Sequence, residues 1–268
     1  MSFDRVAHIY DATRAIPEDV IDKVVHRVAT VTNAGPDSRF LEMGIGTGRI
    51  ALPFIQAGYT YSGVDISDEM MAQLRTKAGE KACNLTLTHA DVTDLPFPDH
   101  CMDVIVTVHL LHLVPDWRVA LREARRVLHP DGYFVMGRDS PVTDDPGEEI
   151  RRQWHTLVAA AGVALRPSYG SWDAVHEELT NLGGRIGTFR VASWSREFRP
   201  KDLLDEQRNR IFSLSWDVPD VVLEEVNQQM EVWATDRYGT MEAPLESHEE
   251  FLLSVTRFDR QAVAAPAT

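Results

Sequence analysis

The spacing of hydrophobic positions along this chain changes repeatedly over its first half. Between residues 18 and 31, Val20, Ile21, Val24, Val25 and Val28 recur at helical intervals and make one apolar face. Residues 39–43 (RFLEM) predict a strand that runs into the glycine stretch GIGTG. Residues 49–57 predict a helix with Pro53 in its first turn, where a missing N–H is tolerated, and Gly58 as its C-terminal cap. A second strand is predicted over 59–65. Ser67 or Asp68 then caps a helix reaching about Lys81, with Met70, Met71 and Leu74 turned inward. Leu85–His89 alternates as a third strand. Residues 103–108 (DVIVTV) are almost continuously apolar, the pattern of a strand buried on both faces of a parallel sheet. A helix over 117–128 is broken by His129-Pro130-Asp131-Gly132, and 133–136 make a fifth strand. Strands alternating with helices in this way predict an α/β fold, an open parallel sheet with helices on both faces.

After residue 140 the rhythm differs. Residues 141–150 are polar and carry proline and glycine, as a loop does. Helical spacing returns over 148–161 and 171–182, the latter stopped by Gly183-Gly184. A strand is predicted over 188–194, two amphipathic helices over 200–215 and 219–236, and a last strand over 251–258. The closing stretch QAVAAPAT is expected to fray. Five of the six tryptophans (Trp154, Trp172, Trp194, Trp216, Trp233) fall in this second half.

Composition narrows the function. The chain has 268 residues, 27 Lys plus Arg against 41 Asp plus Glu, and a net charge of −14. A protein that binds nucleic acid by displacing counterions needs the opposite balance, and an acidic surface is repelled by anionic lipid. The 44% of hydrophobic residues suffice for a core. Cys83 and Cys101 alone form neither a disulfide framework nor a four-cysteine zinc site. The opening MSFDRVAHIY is charged where a signal peptide is apolar, and no apolar run reaches spanning length. A cytoplasmic protein acting on a small molecule is expected, with no nucleic-acid or membrane partner, as a monomer or homodimer.

Four segments carry candidate chemistry. In LEMGIGTGRI (41–50) a strand ends at Glu42-Met43, and Gly44, Gly46 and Gly48 precede a helix. Glycines let the chain turn sharply and let a ligand lie on the backbone, and the helix start offers free N–H groups. The alternative is a tight turn with no ligand. The dinucleotide fingerprint would need a glycine where Arg49 stands, which counts against NAD or FAD. Asp65, about 20 residues on, ends the second strand, where a carboxylate can accept from a ribose diol; otherwise it is a helix cap. Asp91 follows the third strand and can accept from an exocyclic amine, or is an ordinary turn residue. Finally, the buried strand 103–108 opens into a loop bearing His109 and His112, at the carboxyl edge where open α/β sheets bind ligands.

In this order and spacing the segments resemble the class I S-adenosylmethionine-dependent methyltransferases, most closely the small-molecule type that includes the ubiquinone and menaquinone methyltransferases. The likeness covers roughly residues 1–139, with weaker matches at 178–198 and 250–258. It implies a Rossmann-like, seven-stranded, mostly parallel sheet whose last strand, 251–258, is inserted antiparallel. It implies S-adenosyl-L-methionine as cofactor and S-adenosyl-L-homocysteine as product. Carried onto this chain, it places Glu42 near the methionine ammonium and Gly44, Gly46 and Gly48 under the cofactor. Asp65 falls on the ribose with Ile66 beside the adenine, Asp91-Val92 at the adenine amine, and Thr107, Val108 and the residues through His112 along the methionine moiety. The segment FDRVAHIYDATR resembles the stretch that closes over the cofactor, making Tyr10 and Arg14 lid candidates.

The resemblance also organises the chain. Residues 1–139 become the cofactor-binding core with its N-terminal lid, 140–170 and 199–247 insertions forming a helical cap over the carboxyl edge, and 171–198 with 248–268 the rest of the sheet and the tail. Methyl transfer is an in-line displacement in which positioning supplies much of the rate. An amine or hydroxyl acceptor must also lose a proton, and His109 and His112 are the candidate bases, with a structural role for His112 equally open. Trp154, Tyr169 and Trp172 are candidate substrate-pocket residues for an apolar or aromatic acceptor; otherwise they belong to the cap's own core. No metal ligand set is expected. The readings left open are a cofactor-binding sensor or subunit without turnover and an NAD-type oxidoreductase.

Overall fold

The computed structural model describes residues 3–142 and 145–258; the tail stretch QAVAAPAT lies outside them. After a 3₁₀ turn (Asp4–Ile9) come α1 (Tyr10–Thr13), α2 (Glu18–Thr32), β1 (Arg39–Met43), α3 (Ala51–Gln56) and β2 (Thr60–Asp65). Then follow α4 (Asp68–Ala78), β3 (Leu85–His89), β4 (Met102–Val108), α5 (Trp117–Val127) and β5 (Leu128–Pro141). The remainder comprises α6 (Pro146–Ala160), α7 (Trp172–Asn181), β6 (Gly184–Phe198), α8 (Pro200–Arg208), α9 (Asp220–Tyr238) and β7 (Leu245–Phe258). No helix among the described residues is long and apolar enough to cross a membrane.

The strands form one sheet in the order β3-β2-β1-β4-β5-β7-β6. Pairings β1–β2, β1–β4, β2–β3 and β4–β5 are parallel. The chain therefore reverses its direction of travel across the sheet between β3 and β4, which sets the ends of β1 and β4 side by side: Met43 is in register with Thr107. The last strand runs against β5. Arg257 reaches Asp131 near the start of β5, while the Val142 N–H, just past its end, donates to His248 O.

Two compact units divide the chain. The first comprises Met1–Arg138, Ser168–Ala192 and Leu252–Thr268. Leu41, Met43, Val64, Ile105, Leu121, Val127 and Phe134 are buried together with Val175 and Leu179 of α7. On α2 the predicted stripe is real, with Val20, Ile21, Val24 and Val28 buried. The Ser67 hydroxyl caps α4 by accepting from the Met70 N–H. The second unit comprises Asp139–Pro167 and Ser193–Phe251. It has its own apolar centre, built from Ile150, Trp154 and Val158 of α6, Leu203 and Leu204 of α8, and Leu223, Val226 and Met230 of α9.

Several predicted boundaries move. The strand expected over 133–136 spans Leu128–Pro141, and His129-Pro130-Asp131-Gly132 lies within it, where the pairing with β4 shifts register at Met102/Val104. The strands expected over 188–194 and 251–258 also start earlier, as Gly184–Phe198 and Leu245–Phe258. The helix expected through Lys81 ends at Ala78, because Gly79 takes a positive φ of 53°. The helix expected over 200–215 ends at Arg208; Arg210 turns left-handed with φ 53°, and a 3₁₀ turn follows at Ser213–Ser215.

Candidate functional site

The glycine loop between β1 and α3 is fixed from below. Val64 O at the end of β2 accepts from both the Gly44 N–H (2.9 Å) and the Ile45 N–H (3.0 Å). Gly44, Gly46 and Gly48 have φ of 71°, 55° and 77°, a region that side chains rarely enter. Packing separates their roles. A Cβ on Gly44 would fall 2.7 Å from Leu110 Cδ1, and one on Gly48 would collide with Leu74 Cδ1. At Gly46 the only neighbour is the flexible end of Met70, at 3.3 Å. The space a Cβ would take at Gly44 and Gly48 is filled by leucine side chains, whereas at Gly46, among the described residues, the flexible end of Met70 alone would have to give way.

Asp65 sits at the end of β2 as predicted and holds this loop. Its Oδ2 accepts from the Gly46 N–H at 2.8 Å and its Oδ1 from the Ser67 N–H at 2.9 Å. Burial raises its pKa, and the backbone N–H groups of Ser67, Gly46 and Ile66 work against that rise. Ile66 beside it is 37% exposed, a large apolar side chain left open next to a carboxylate. Ser67 joins the same structure twice, as cap of α4 and as donor to Asp4 of the N-terminal segment.

Glu42 is buried at 3% exposure and accepts from the Tyr61 hydroxyl at 3.1 Å. Burial pushes its carboxyl up to about 8; the Tyr61 hydrogen bond and the charge of Arg49 lower it only in part. A carboxyl so placed is stabilised as an anion by a cation brought against it.

The N-terminal segment lies on this loop. The Thr47 hydroxyl donates to Asp11 Oδ1 at 2.5 Å, Lys77 Nζ of α4 pairs with Asp11 Oδ2 at 2.6 Å, and Arg49 Nη1 donates to Arg14 O at 2.9 Å. The Arg14 guanidinium stacks on the Tyr10 ring at 4.4 Å. Tyr10 and Arg14 are thus beside the glycine loop, as expected. The residues that tie them there, Asp4, Asp11, Thr47 and Lys77, escape sequence reasoning. Thr47 carried a signal, being the one hydroxyl inside GIGTG. Arg49, where a dinucleotide fold needs a glycine, instead holds the backbone of the N-terminal segment.

The remaining sequence candidates divide. Asp91 is exposed, and its Oδ1 accepts from the Thr93 N–H and hydroxyl, an ordinary turn closure. Val92 has its side chain in the core, so only its backbone is available to a ligand. The Thr107 hydroxyl donates to Met43 O at 3.3 Å, joining the ends of β4 and β1; Val108 beside it is half-buried. His109 follows with φ 51°, an uncommon conformation for a non-glycine residue, and its ring stands 6.3 Å from that of His112. Burial, with His109 adding to it, lowers His112 to about 4, so this imidazole is neutral at pH 7.

Tyr169 comes to the same loop: its N–H donates to His112 O at 3.1 Å, and the Gly170 N–H to Leu111 O at 3.2 Å. The contact is close enough that a Cβ on Gly170 would meet Leu111 O at 2.8 Å. The Tyr169 ring is 40% exposed. Trp172, half-buried, packs on the core beneath the Arg138 guanidinium and against the His176 ring. Trp154 corrects the expectation of a pocket wall. It is 1% exposed, in the apolar centre of the second unit, because its position on α6 shares a face with Ile150 and Val158.

Residues 41–136 match a family described as a methyltransferase domain. A demethylmenaquinone methyltransferase of Streptomyces avermitilis is 35% identical over 207 residues, covering 72% of this chain and 84% of that protein. A fatty-acid O-methyltransferase of Mycolicibacterium smegmatis is 34% identical over 173 residues; the match spans 60% of each chain, less than two thirds of that relative's length. Among solved structures, the YcgJ protein of Bacillus subtilis superposes with a TM-score of 0.60 at 20% identity, over 91% of this chain and all of that one, a likeness of fold. With β7 between β5 and β6, the glycine loop after β1 and the carboxylate after β2, this chain belongs to the class I S-adenosylmethionine-dependent methyltransferases.

Proposed function

We propose that this chain transfers the methyl group of S-adenosylmethionine to a small, apolar or aromatic molecule. The observation that carries the reading is the Gly46–Asp65 arrangement: a backbone approached at Gly46 by the flexible end of Met70, with a carboxylate hydrogen-bonded to that same residue and with acceptor capacity left for a diol hydroxyl. The half-exposed Ile66 supports an aromatic ring laid beside it, and the exposed Asp91 carboxylate supports an amine beyond. Buried Glu42 favours a positively charged group at the other end of the loop. Tyr10 and Arg14, tied down through Asp11, Thr47 and Arg49, would exclude water from the cofactor side.

Bound there, S-adenosylmethionine supplies an electrophilic methyl on a sulfonium. The chain's task is then to position the acceptor in line. Thr107 and Val108 lie at the end of β4, and His109, His112 and Tyr169 come together in the loop beyond it. His112, lowered to about 4, is a weak base, so its part is better read as shaping the acceptor side than as removing a proton. The relatives' names, a fatty-acid and a demethylmenaquinone methyltransferase, support an apolar acceptor.

The test has two stages. Calorimetry should show S-adenosylhomocysteine binding and no binding of NAD. A panel of apolar acids, phenols and quinols is then screened for S-adenosylhomocysteine release, with mass spectrometry of the product. Binding of NAD in place of S-adenosylhomocysteine would reject the reading.

A further inference from the structure

Arg138 is the residue of the first unit whose placement the cofactor does not explain. It follows Gly137 on β5, which is in register with Val108 on β4, so Arg138 stands beside His109 at the carboxyl edge. Its guanidinium lies over the Trp172 ring with Cζ 4.5 Å from the centroid. Its Nε is fully buried and meets no acceptor among the described residues. Buried donors are nearly always paired, and leaving one unpaired carries the cost of its desolvation. Other arginines of the first unit find carboxylates, as Arg118 does with Glu178 and Arg257 with Asp131.

We infer that Arg138, backed by Trp172, is a recognition subsite for the carboxylate of an apolar acid on the acceptor side of this site. The inference rests on the methyltransferase reading for what lies beside it. A guanidinium stacked on an aromatic face keeps its edge N–H groups in one plane, the geometry that a carboxylate accepts in two parallel hydrogen bonds. Stacking on Trp172 also fixes the fork, so little rotamer freedom is lost on binding. The charge count selects a monoanion. His176, whose ring packs against Trp172 at 4.8 Å and a steep angle, is lowered by burial, with Asp173 opposing the shift and Arg138 adding to it, and bonds Ser254 Oγ at 2.8 Å, so it adds no second cation at neutral pH. One positive charge in a chain of net −14 suits a carboxylate better than a phosphate dianion. The apolar remainder of the acid would lie along Trp172 toward Tyr169, which is 40% exposed.

The test compares matched pairs on the full chain saturated with S-adenosylhomocysteine: octanoate with 1-octanol, benzoate with benzyl alcohol, and cinnamate with cinnamyl alcohol. In at least one pair the acid should bind tenfold or more tightly than its alcohol. Arg138→Gln should bring the two within twofold of each other, Arg138→Lys should retain part of the preference, and both variants should keep S-adenosylhomocysteine affinity within twofold. If Arg138→Gln does not fold, the Lys variant decides, since a point charge without the planar fork should lose at least threefold of the preference. No acid preference in the wild type overturns the inference, and so does a preference that survives unchanged in the variants. Tighter binding of octyl phosphate than of octanoate overturns the choice of carboxylate. Failure of S-adenosylhomocysteine to bind would instead reject the cofactor reading; the acid–alcohol comparison, repeated without it, still decides Arg138.

Discussion

The Gly46 N–H and the Asp65 carboxylate, 19 residues apart, meet at 2.8 Å across the ends of two neighbouring strands. One carboxylate therefore has two tasks, shaping the loop and facing whatever lies on it. Asp65→Ala should lower S-adenosylhomocysteine affinity by about 1.5–3 kcal/mol, the scale of hydrogen bonds to a charged group. It should also lower stability, because the Gly46 and Ser67 amides lose their acceptor. Asp65→Asn keeps one acceptor oxygen and should lose affinity with a smaller drop in Tm. Calorimetry and thermal unfolding on both variants check this; an Asp65→Ala protein with unchanged affinity would remove the residue from the site.

Glu42 gives a pH signature. Its folded pKa, about 8, lies above the ordinary 4.5, so between those values the folded protein holds more protons than the unfolded one. Stability from this group is therefore greatest below pH 4.5 and falls as pH rises toward 8. Relative to Glu42→Gln, the wild type should lose roughly 1–2 kcal/mol between pH 6.5 and 8, at about 1.36 kcal/mol per unit. Urea titrations at several pH values measure it. A cation seated beside Glu42 favours its ionised form, so S-adenosylmethionine binding at pH 7 should release up to about one proton, read as a dependence of the calorimetric heat on buffer ionisation. Equal heats in phosphate and Tris, corrected for dilution, would argue against that contact.

The glycine loop, Asp65 and the apolar strands were legible in the sequence because each is a local pattern. A buried parallel strand is a continuous apolar run, and Asp65 follows at a fixed distance from the loop. Margins were less legible. The outer parts of β5 are mostly polar and include Pro130, and the buried Leu128 at its start reads equally as the end of the preceding helix, so the pattern marks only 133–136 as strand. The end of α8 depends on the left-handed turn at Arg210, an arginine whose guanidinium is occupied by Val218 O and Asp220 Oδ1. Contacts between distant residues left no trace at all. Thr47 and Asp11 are 36 positions apart, and Arg138 meets Trp172 only once α7 has folded onto the core. Trp154 was misread for a related reason, since a tryptophan at helical spacing looks the same whether it lines a pocket or fills a core.

The Asp11 tie makes a kinetic prediction. Its ion pair with Lys77 is exposed and contributes little to stability. Its bond to Thr47 holds the N-terminal segment on the glycine loop. Asp11→Ala should therefore change unfolding free energy by less than about 1 kcal/mol. It should raise the dissociation rate of S-adenosylhomocysteine about fivefold, equivalent to roughly 1 kcal/mol. The association rate should move less, because loss of a contact mainly affects release. Stopped-flow displacement separates the two rates. A slower dissociation in the variant would show that the segment does not close over the ligand.

His112 supplies the last prediction. Burial lowers its pKa to about 4 from the ordinary 6.5, with His109 contributing in the same direction. In that window the unfolded chain binds the proton more readily, so stability from this group is present above pH 6.5 and is lost as pH falls toward 4. Proton NMR of the imidazole should show His112 titrating well below 5, and His112→Asn should flatten the fall in stability between pH 6.5 and 4.5. Its chemical consequence depends on the acceptor. A hydroxyl acceptor needs a base, and a group with a pKa near 4 removes its proton poorly. A carboxylate bound by Arg138 is already ionised at neutral pH and needs none. With an acid as acceptor, single-turnover transfer should be flat from pH 6 to 8, and His112→Asn should slow it by less than about tenfold, below the range of a lost general base. A loss of a hundredfold or more, accompanied by a rate that rises through pH 6.5, would restore His112 as the base and with it a hydroxyl or amine acceptor.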